Sequence, residues 1–352
     1  RLCLNQKIKI GLKLKKMPLS EKYSKVKSVA LNSYKFPLTI SWCGKCKNIQ
    51  TMEVIKPQLL WSDFTYLSAQ TKVILQHFEH LSKYIIKEFN IKREHMIIDI
   101  GSNDGSFLKF FKKKKCKVLG IDPAKNVARI ANRNGIKTIV DFFNLRIAKR
   151  ISKTNKKAKI VICFNTFAHA PNMRNIIKGI EEILDDNGVF IFECQYLSDI
   201  YKKKILGTIF HEHMYHHSVT SLNNFFCAFG LDLFDVKRVN IQKGSIIGFV
   251  CKKNKRPISK NVKNFLKTEI VNGDLELTKL RTFIEFINSQ KKRAKKILKN
   301  YQGQIIGAFG AARSGPTLAV NYGVDKYLNM LFDDHPLKVG KYSCFNGLRV
   351  RP

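Results

Sequence analysis

The chain has 352 residues, 44% of them hydrophobic, which is too apolar for a disordered protein and long enough for about two or three domains. No apolar run has the length needed to span a bilayer and no signal-peptide pattern opens the sequence, so the expected setting is the cytoplasm, without a membrane partner. The net charge of +38 raises the question of nucleic acid, but the lysines are spread along the whole chain among many Ile and Asn, with no arginine stripe interleaved with aromatics. Compositional drift explains this pattern better, and no nucleic-acid partner is expected. The basic surface still attracts anionic substrates such as nucleotides.

Residues 1 to about 60 read as short, irregular segments around Pro18, Pro37 and the pair Cys43 and Cys46. From Leu59 to Phe89 apolar residues recur at helical steps (Val73, Ile74, Phe78, Leu81, Ile85). A strand–helix alternation follows. Strands are expected over 96–100, 117–121, 136–140, 159–164 and 189–194, with helices from Gly105, over 124–132 and over 173–184. Two more strands, 231–239 and 245–251, divided at Gly244, complete the pattern. This is the signature of a doubly wound α/β sheet closed by a hairpin with one antiparallel strand. Residues 259–300 read as Lys-rich helix broken near Asn272-Gly273. A smaller alternation then begins: strand 305–310, helix 317–322 and strand 330–332. The expected domains are 1–60, 61–255 and 256–352.

The first strand runs into Asp99-Ile100-Gly101-Ser102-Asn103-Asp104-Gly105. Gly101 and Gly105 let backbone pass close to a ligand. Asp99 is placed to meet an amino group, and Asn103 and Asp104 to meet or water-bridge a carboxylate. The second strand ends at Asp122-Pro123, where an acid can bind ribose hydroxyls. Asp141-Phe142 after the third strand suits an adenine, and Asn165 closes the fourth. A nicotinamide site would need Gly-x-Gly-x-x-Gly. Here the spacing is Gly-x-x-x-Gly with polar residues inside, which fits S-adenosylmethionine (SAM), a ligand with an amino acid and a sulfonium in place of a diphosphate. The expected fold is thus the class I methyltransferase sheet.

Nine cysteines without a secretion signal argue against disulfides. Cys116, Cys163, Cys194, Cys227 and Cys251 lie in apolar runs and read as core. Cys43 and Cys46 form half of a zinc site. Cys3 is the candidate third ligand, completed by a cysteine expected just before Arg1.

Four histidines cluster in Phe210-His211-Glu212-His213-Met214-Tyr215-His216-His217. The metalloprotease spacing His-Glu-x-x-His is not present. Acid–base work fits better, with a histidine held in one tautomer by a neighbouring acid and its pKa raised toward neutrality. His169, after the fourth strand, stands where methyltransferases of this fold place a residue facing the transferred methyl group.

Taken together, these pieces resemble the sugar C-methyltransferases, which methylate C3 of nucleotide-linked 4-keto-deoxysugars. The resemblance rests on Met17-Pro18-Leu19, Phe36-Pro37-Leu38 leading to Cys43 and Cys46, Asp63-Phe64-Thr65-Tyr66-Leu67-Ser68, the Gly101–Gly105 turn, Ala168-His169, His211-Glu212-His213, Gly310-Ala311-Ala312, Asp333-Asp334-His335-Pro336 and Gly340-Lys341-Tyr342. It implies a zinc-binding N-terminal domain with four cysteine ligands, a SAM-binding central domain and a Rossmann-like C-terminal domain that helps enclose the sugar nucleotide. It also implies His213 as general base, with His169, Glu212 and a tyrosine, matched by Tyr66, in support. The chain departs from the family at Phe210, where Tyr is usual, at Phe64 in the aromatic pair with Tyr66, and at Ala312-Arg313-Ser314-Gly315-Pro316, where Ala-Lys-Gly-Asn is common. The alternatives are O-methylation by the same base and methylation of, or binding to, nucleic acid. Against the last stands Asn-Thr-Phe-Ala-His after the fourth strand, in place of the Asn/Asp-Pro-Pro-aromatic motif of base methylation.

Overall fold

The computed structural model describes residues 1–61 and 66–352. These form two compact units. The first comprises Arg1–Gln6, Lys56–Tyr196 and His216–Asn272; the second comprises Lys7–Ile55, Leu197–Tyr215 and Gly273–Pro352.

The first unit is built on a seven-stranded sheet. Its strands in chain order are β1 (Met96–Ile100), β2 (Lys117–Ile121), β3 (Thr138–Ile139), β4 (Ala158–Phe164), β5 (Leu184–Gln195), β6 (Leu231–Val239) and β7 (Ser245–Lys252). Their spatial order is β3-β2-β1-β4-β5-β7-β6, with β7 antiparallel to both of its neighbours. This is the class I methyltransferase topology. The inner strands read as continuous apolar runs because both faces of the sheet are covered. Ile97, Ile98, Ile160, Val161, Ile162, Phe190 and Phe192 are all fully buried. Helix α1 (Lys72–Glu88) precedes the sheet, and α2 (Ser106–Lys113), α3 (Lys125–Arg133), α4 (Leu145–Thr154) and α5 (Met173–Ile183) connect its successive parallel strands. Phe78, Leu81 and Ile85 of α1 pack into the same core as Phe107 and Phe111 of α2.

Some elements differ from the sequence reading. The helical stretch expected from residue 59 is divided. Pro57–Trp61 is a short helix, Ser68–Gln70 is a 3-10 turn and the main helix starts at Lys72. The third strand shrinks to two residues. Helix α4 was not expected at all, although Asn144 caps it by accepting the Ile147 N–H at 3.1 Å.

In the second unit, Ile8–Met17 pairs antiparallel with Phe36–Cys43, which pairs with Ile49–Thr51. The N-terminal region is therefore far more regular than expected. Ile8, Ile10, Leu12 and Leu14 alternate with Lys9, Gly11 and Lys13, the two-residue period of a strand. Leu12, Leu38, Ile40 and Trp42 share a core with Leu197, Ile200, Leu280, Phe283 and Ile287. A three-stranded parallel sheet of Gly307–Phe309, Met330–Phe332 and Val350–Arg351 forms the C-terminal part. Its first strand turns at Gly310 (φ +95°) into the helix Ser314–Tyr322. The helical break near residue 272 is real: Lys260–Val271 ends before Gly273 (φ +64°), and Leu277–Lys299 follows.

Candidate active site

In the first unit the carboxyl ends of the parallel strands gather the residues expected to hold a cofactor. The turn after β1 requires glycine at position 101, where φ is +77° and an added Cβ would overlap the Thr166 side chain. Gly105 (φ +76°) opens α2. Asp99 is 4% exposed, and burial, then the neighbouring Asp122, push its carboxyl up to about 8. Asp122 is raised to about 6 by burial, against hydrogen bonds it accepts from Asn103 N and Ala124 N, each at 2.9 Å. Pro123 follows it, half-buried. Ser102 Oγ is buried with no hydrogen-bond partner among the described residues. Two buried acids and an orphaned hydroxyl call for a ligand with a cationic amine and hydroxyl donors. SAM supplies both, so the residues fit it.

Asn103 and Asp104 also make backbone contacts that the sequence did not show. Asn103 Oδ1 accepts the Ser68 N–H at 3.1 Å, and its Nδ2 donates to the Tyr66 carbonyl at 3.0 Å. Asp104 accepts the N–H of Ala69 at 2.8 Å and that of Ser106 at 3.1 Å. Both side chains satisfy backbone amides that the 3-10 turn and α2 leave unpaired, so they fasten residues 66–69 to the cofactor turn. Asp141 pairs with Arg146 at 3.1 Å and accepts the Phe142 N–H at 2.8 Å, and Phe142 itself is half-buried. Asn165 has φ +52°, and its side chain donates to Glu193 Oε1 at 3.2 Å. His169 ends a short 3-10 turn after β4 and stacks on Trp61, with ring centroids 4.7 Å apart and planes 12° apart. The Tyr66 hydroxyl donates to Thr71 Oγ1 at 3.2 Å. Asp63, Phe64 and Thr65 of the same motif lie outside the described residues.

The His-Glu-His segment belongs to the second unit. Thr51 holds its backbone, donating from Oγ1 to the His213 carbonyl at 2.8 Å and from N to the Met214 carbonyl at 3.1 Å. His213 Nδ1 contacts the Thr208 carbonyl at 2.7 Å. A carbonyl only accepts, so this bond assigns the proton to Nδ1 and the lone pair to Nε2. Two expectations are corrected here. The tautomer is set by the Thr208 carbonyl, which takes the Nδ1 proton, and not by Glu212. The His213 pKa is moved down to about 4, chiefly by burial and further by Arg313. Glu212 is buried, with Oε2 unpartnered among the described residues. Burial raises its pKa, and the positive charge of Arg313 opposes that shift. His211 is spent on structure, with Nε2 at 3.0 Å from the Pro37 carbonyl, and burial lowers its pKa.

Arg313, Trp61, His77 and Glu193 escaped the sequence reading as site residues. Only Arg313 left a trace, as a departure from the family pattern. The partners of the others come from distant segments.

For zinc, Cys43 and Cys46 are buried in a tight turn where the Lys47 N–H donates to the Cys43 carbonyl at 2.8 Å. Their thiols lie within 4.8 Å of one another. With the half-buried Cys3 they are the one His/Cys/Asp/Glu group among the described residues able to hold a metal ion. A soft, all-thiol donor set suits zinc.

Three family models match in chain order. A zinc-binding domain covers residues 1–61, a methyltransferase domain covers 74–236 and a C-methyltransferase C-terminal domain covers 240–351. The chain is also similar to the C-methyltransferase NovU of Streptomyces niveus, 27% identical over 310 residues, covering 87% of this chain and 74% of that protein. Together these matches support a place for the chain among the sugar C-methyltransferases. It is a SAM-dependent C-methyltransferase with zinc as a second cofactor. Among solved structures it is similar to the SAM-bound magnesium protoporphyrin IX methyltransferase of Synechocystis PCC 6803, at 12% identity and a TM-score of 0.39, over 51% of this chain and 79% of that one. It is also similar to the PH0226 protein of Pyrococcus horikoshii, at 15% identity and a TM-score of 0.43, over 57% of this chain and 100% of that one. Likenesses this loose transfer no role to this C-methyltransferase. None of its described helices is long and apolar enough to cross a membrane.

Proposed function

We propose that this C-methyltransferase methylates the carbon beside the ketone of a nucleotide-linked 4-keto-deoxysugar, working in the cytoplasm. The observation that carries this reading is the state of His213. Its Nδ1–H is committed to Thr208, its lone pair is on Nε2, and its lowered pKa keeps it neutral near pH 7. A neutral, oriented imidazole is what removal of a C–H proton acidified by an adjacent ketone requires.

SAM, when bound, supplies an electrophilic methyl group. Asp99 holds its amine, Asp122 and Pro123 its ribose, Asp141 and Phe142 its adenine. Gly101, Ser102, Gly105 and Asn165 shape the pocket, which Asn103 and Asp104 brace. His213 takes the proton to Nε2. His169 or Tyr66 donates a hydrogen bond to the developing enolate oxygen. Glu212 balances charge on the His213 side and His211 keeps that segment in place. The C-terminal domain at 256–352 helps enclose the sugar nucleotide, and the zinc domain occupies residues 1–60.

The test is incubation with SAM and a panel of nucleotide-linked 4-keto-deoxysugars, with the product read by NMR. A new carbon-bound methyl next to the ketone is expected, and His213→Ala should lower kcat by about 10²–10⁴-fold. A methyl found on oxygen would sink the proton-abstraction mechanism.

A further inference from the structure

The methyltransferase unit contains a buried carboxylate that the mechanism above does not use. Glu193, at the end of β5, is 0% exposed. Its backbone carbonyl accepts the Asn165 N–H at 3.0 Å, and its Oε1 accepts Asn165 Nδ2 at 3.2 Å. Its Oε2 lies 2.6 Å from Nε2 of the half-buried His77 on α1. Facing a carboxylate, that ring nitrogen donates. One side chain thus ties a helix to the ends of two neighbouring strands.

Packing alone does not ask for this arrangement. Burying a carboxylate is costly unless hydrogen bonds compensate it, and an apolar residue would fill the space without that cost. What the carboxylate controls is Asn165, a non-glycine residue in the left-handed region at φ +52°. Backbone strain of this kind persists only where the surroundings fix it, and it concentrates at ligand sites. The next residue, Thr166, is the one an added Cβ at Gly101 would strike. The strained turn therefore lies directly against the cofactor turn. Helix α1 is reached from residues 66–69, which Asn103 and Asp104 fasten to that same turn. His77 adds a second fastening along the helix.

We propose that Glu193 is a positioning residue of the cofactor site, clamping Asn165 and His77 so that the turn after β4 keeps the shape that receives SAM. This rests on the reading that the carboxyl ends of the strands hold the cofactor. Glu193 touches neither substrate nor SAM in this role and acts through Asn165.

The test compares the full chain with Glu193→Gln, Asn165→Ala, the double variant and Asp99→Ala, by calorimetric titration with S-adenosylhomocysteine and by steady-state kinetics. Losing one charge-assisted hydrogen bond should raise both the dissociation constant and the KM for SAM by about tenfold. At saturating SAM, kcat should stay within about threefold, because the interaction serves binding rather than the transition state. The double variant should bind no more weakly than Asn165→Ala alone, since the two residues act as one unit. A purely structural role would lower the melting temperature and leave the KM for SAM unchanged, and that result overturns the proposal. Additive losses in the double variant overturn it too. Should Glu193→Gln not fold, His77→Gln carries the same expected KM shift and the same overturning result. If Asp99→Ala binds normally, the cofactor-site reading itself fails. If Asp99→Ala loses binding while Glu193→Gln does not, only the positioning role of Glu193 fails.

Discussion

Asp99 and His213 are each pushed by burial toward their neutral forms, with opposite consequences for pH. The folded pKa of Asp99 is about 8 against an ordinary 3.8. The folded state therefore binds the extra proton, and this contribution to stability fades as pH rises from about 4 to 8. Binding an amine at Asp99 favours the carboxylate, so S-adenosylhomocysteine binding at pH 7 should release up to about one proton. Calorimetry in two buffers of different ionisation enthalpy reads this directly, and equal heats would mean that Asp99 does not meet the amine. Asp99→Ala and Asp122→Ala should each weaken binding by about 10–100-fold, as expected for loss of a hydrogen bond to a charged group. For His213 the folded pKa is about 4 against 6.5. The unfolded chain protonates first, so stability is lost as pH falls from about 6.5 to 4. In the same way the acid limb of kcat/KM should fall near pH 4 rather than near 6.5, and a limb at 6.5 would remove His213 as the base.

Helix ends show what holds the elements in register. Glu269, fully buried on the helix Lys260–Val271, accepts Val219 N–H at 2.6 Å, Thr220 N–H at 2.9 Å and the Thr220 hydroxyl at 2.6 Å. It thus caps the helix Val219–Cys227, which follows the histidine cluster. Glu269→Ala should cost about 2–4 kcal/mol in a urea denaturation, because buried amides lose their partner. Glu269→Gln should recover part of this. At the cofactor turn, Gly101→Ala should cost at least about 1–2 kcal/mol for the left-handed backbone alone. The clash with Thr166 adds to that, so loss of S-adenosylhomocysteine affinity is expected even where the protein stays folded.

Across the whole molecule, the segment around the zinc cysteines does not stand alone. Residues 7–55 share a unit with residues 197–215 and 273–352, and Thr51 and Pro37 grip the His-Glu-His segment directly. Zinc removal should therefore reach the His-Glu-His segment, proposed to carry the base, as well as the N-terminal fold. Treatment with a strong chelator, or Cys43→Ser, should lower the zinc content measured by atomic absorption, reduce the melting temperature and depress kcat. Unchanged kcat in metal-free protein would show that the Thr51 and Pro37 contacts persist without the ion.

The class I sheet, its strand ends and the Gly101–Gly105 turn were legible in the sequence because local periodicity and turn chemistry encode them. Apolar runs of five residues ending in glycine and acid can hardly be read otherwise. The cysteine pair and the His-Glu-His segment were legible as clusters of uncommon residue types. The ten-residue strand Ile8–Met17 was encoded too, in a two-residue alternation overshadowed by its lysines. What the sequence could not supply were relations between distant segments. Thr208 rather than Glu212 orients His213; Asn103 and Asp104 grip the backbone of residues 66–69; Trp61 stacks on His169; Glu193 joins His77 to Asn165. Each depends on which backbone carbonyl or side chain arrives within about 3 Å after folding. The direction of the His213 shift is decided in the same way. A neighbouring acid in sequence suggested a raised pKa, whereas burial, a property of the tertiary structure alone, set the sign.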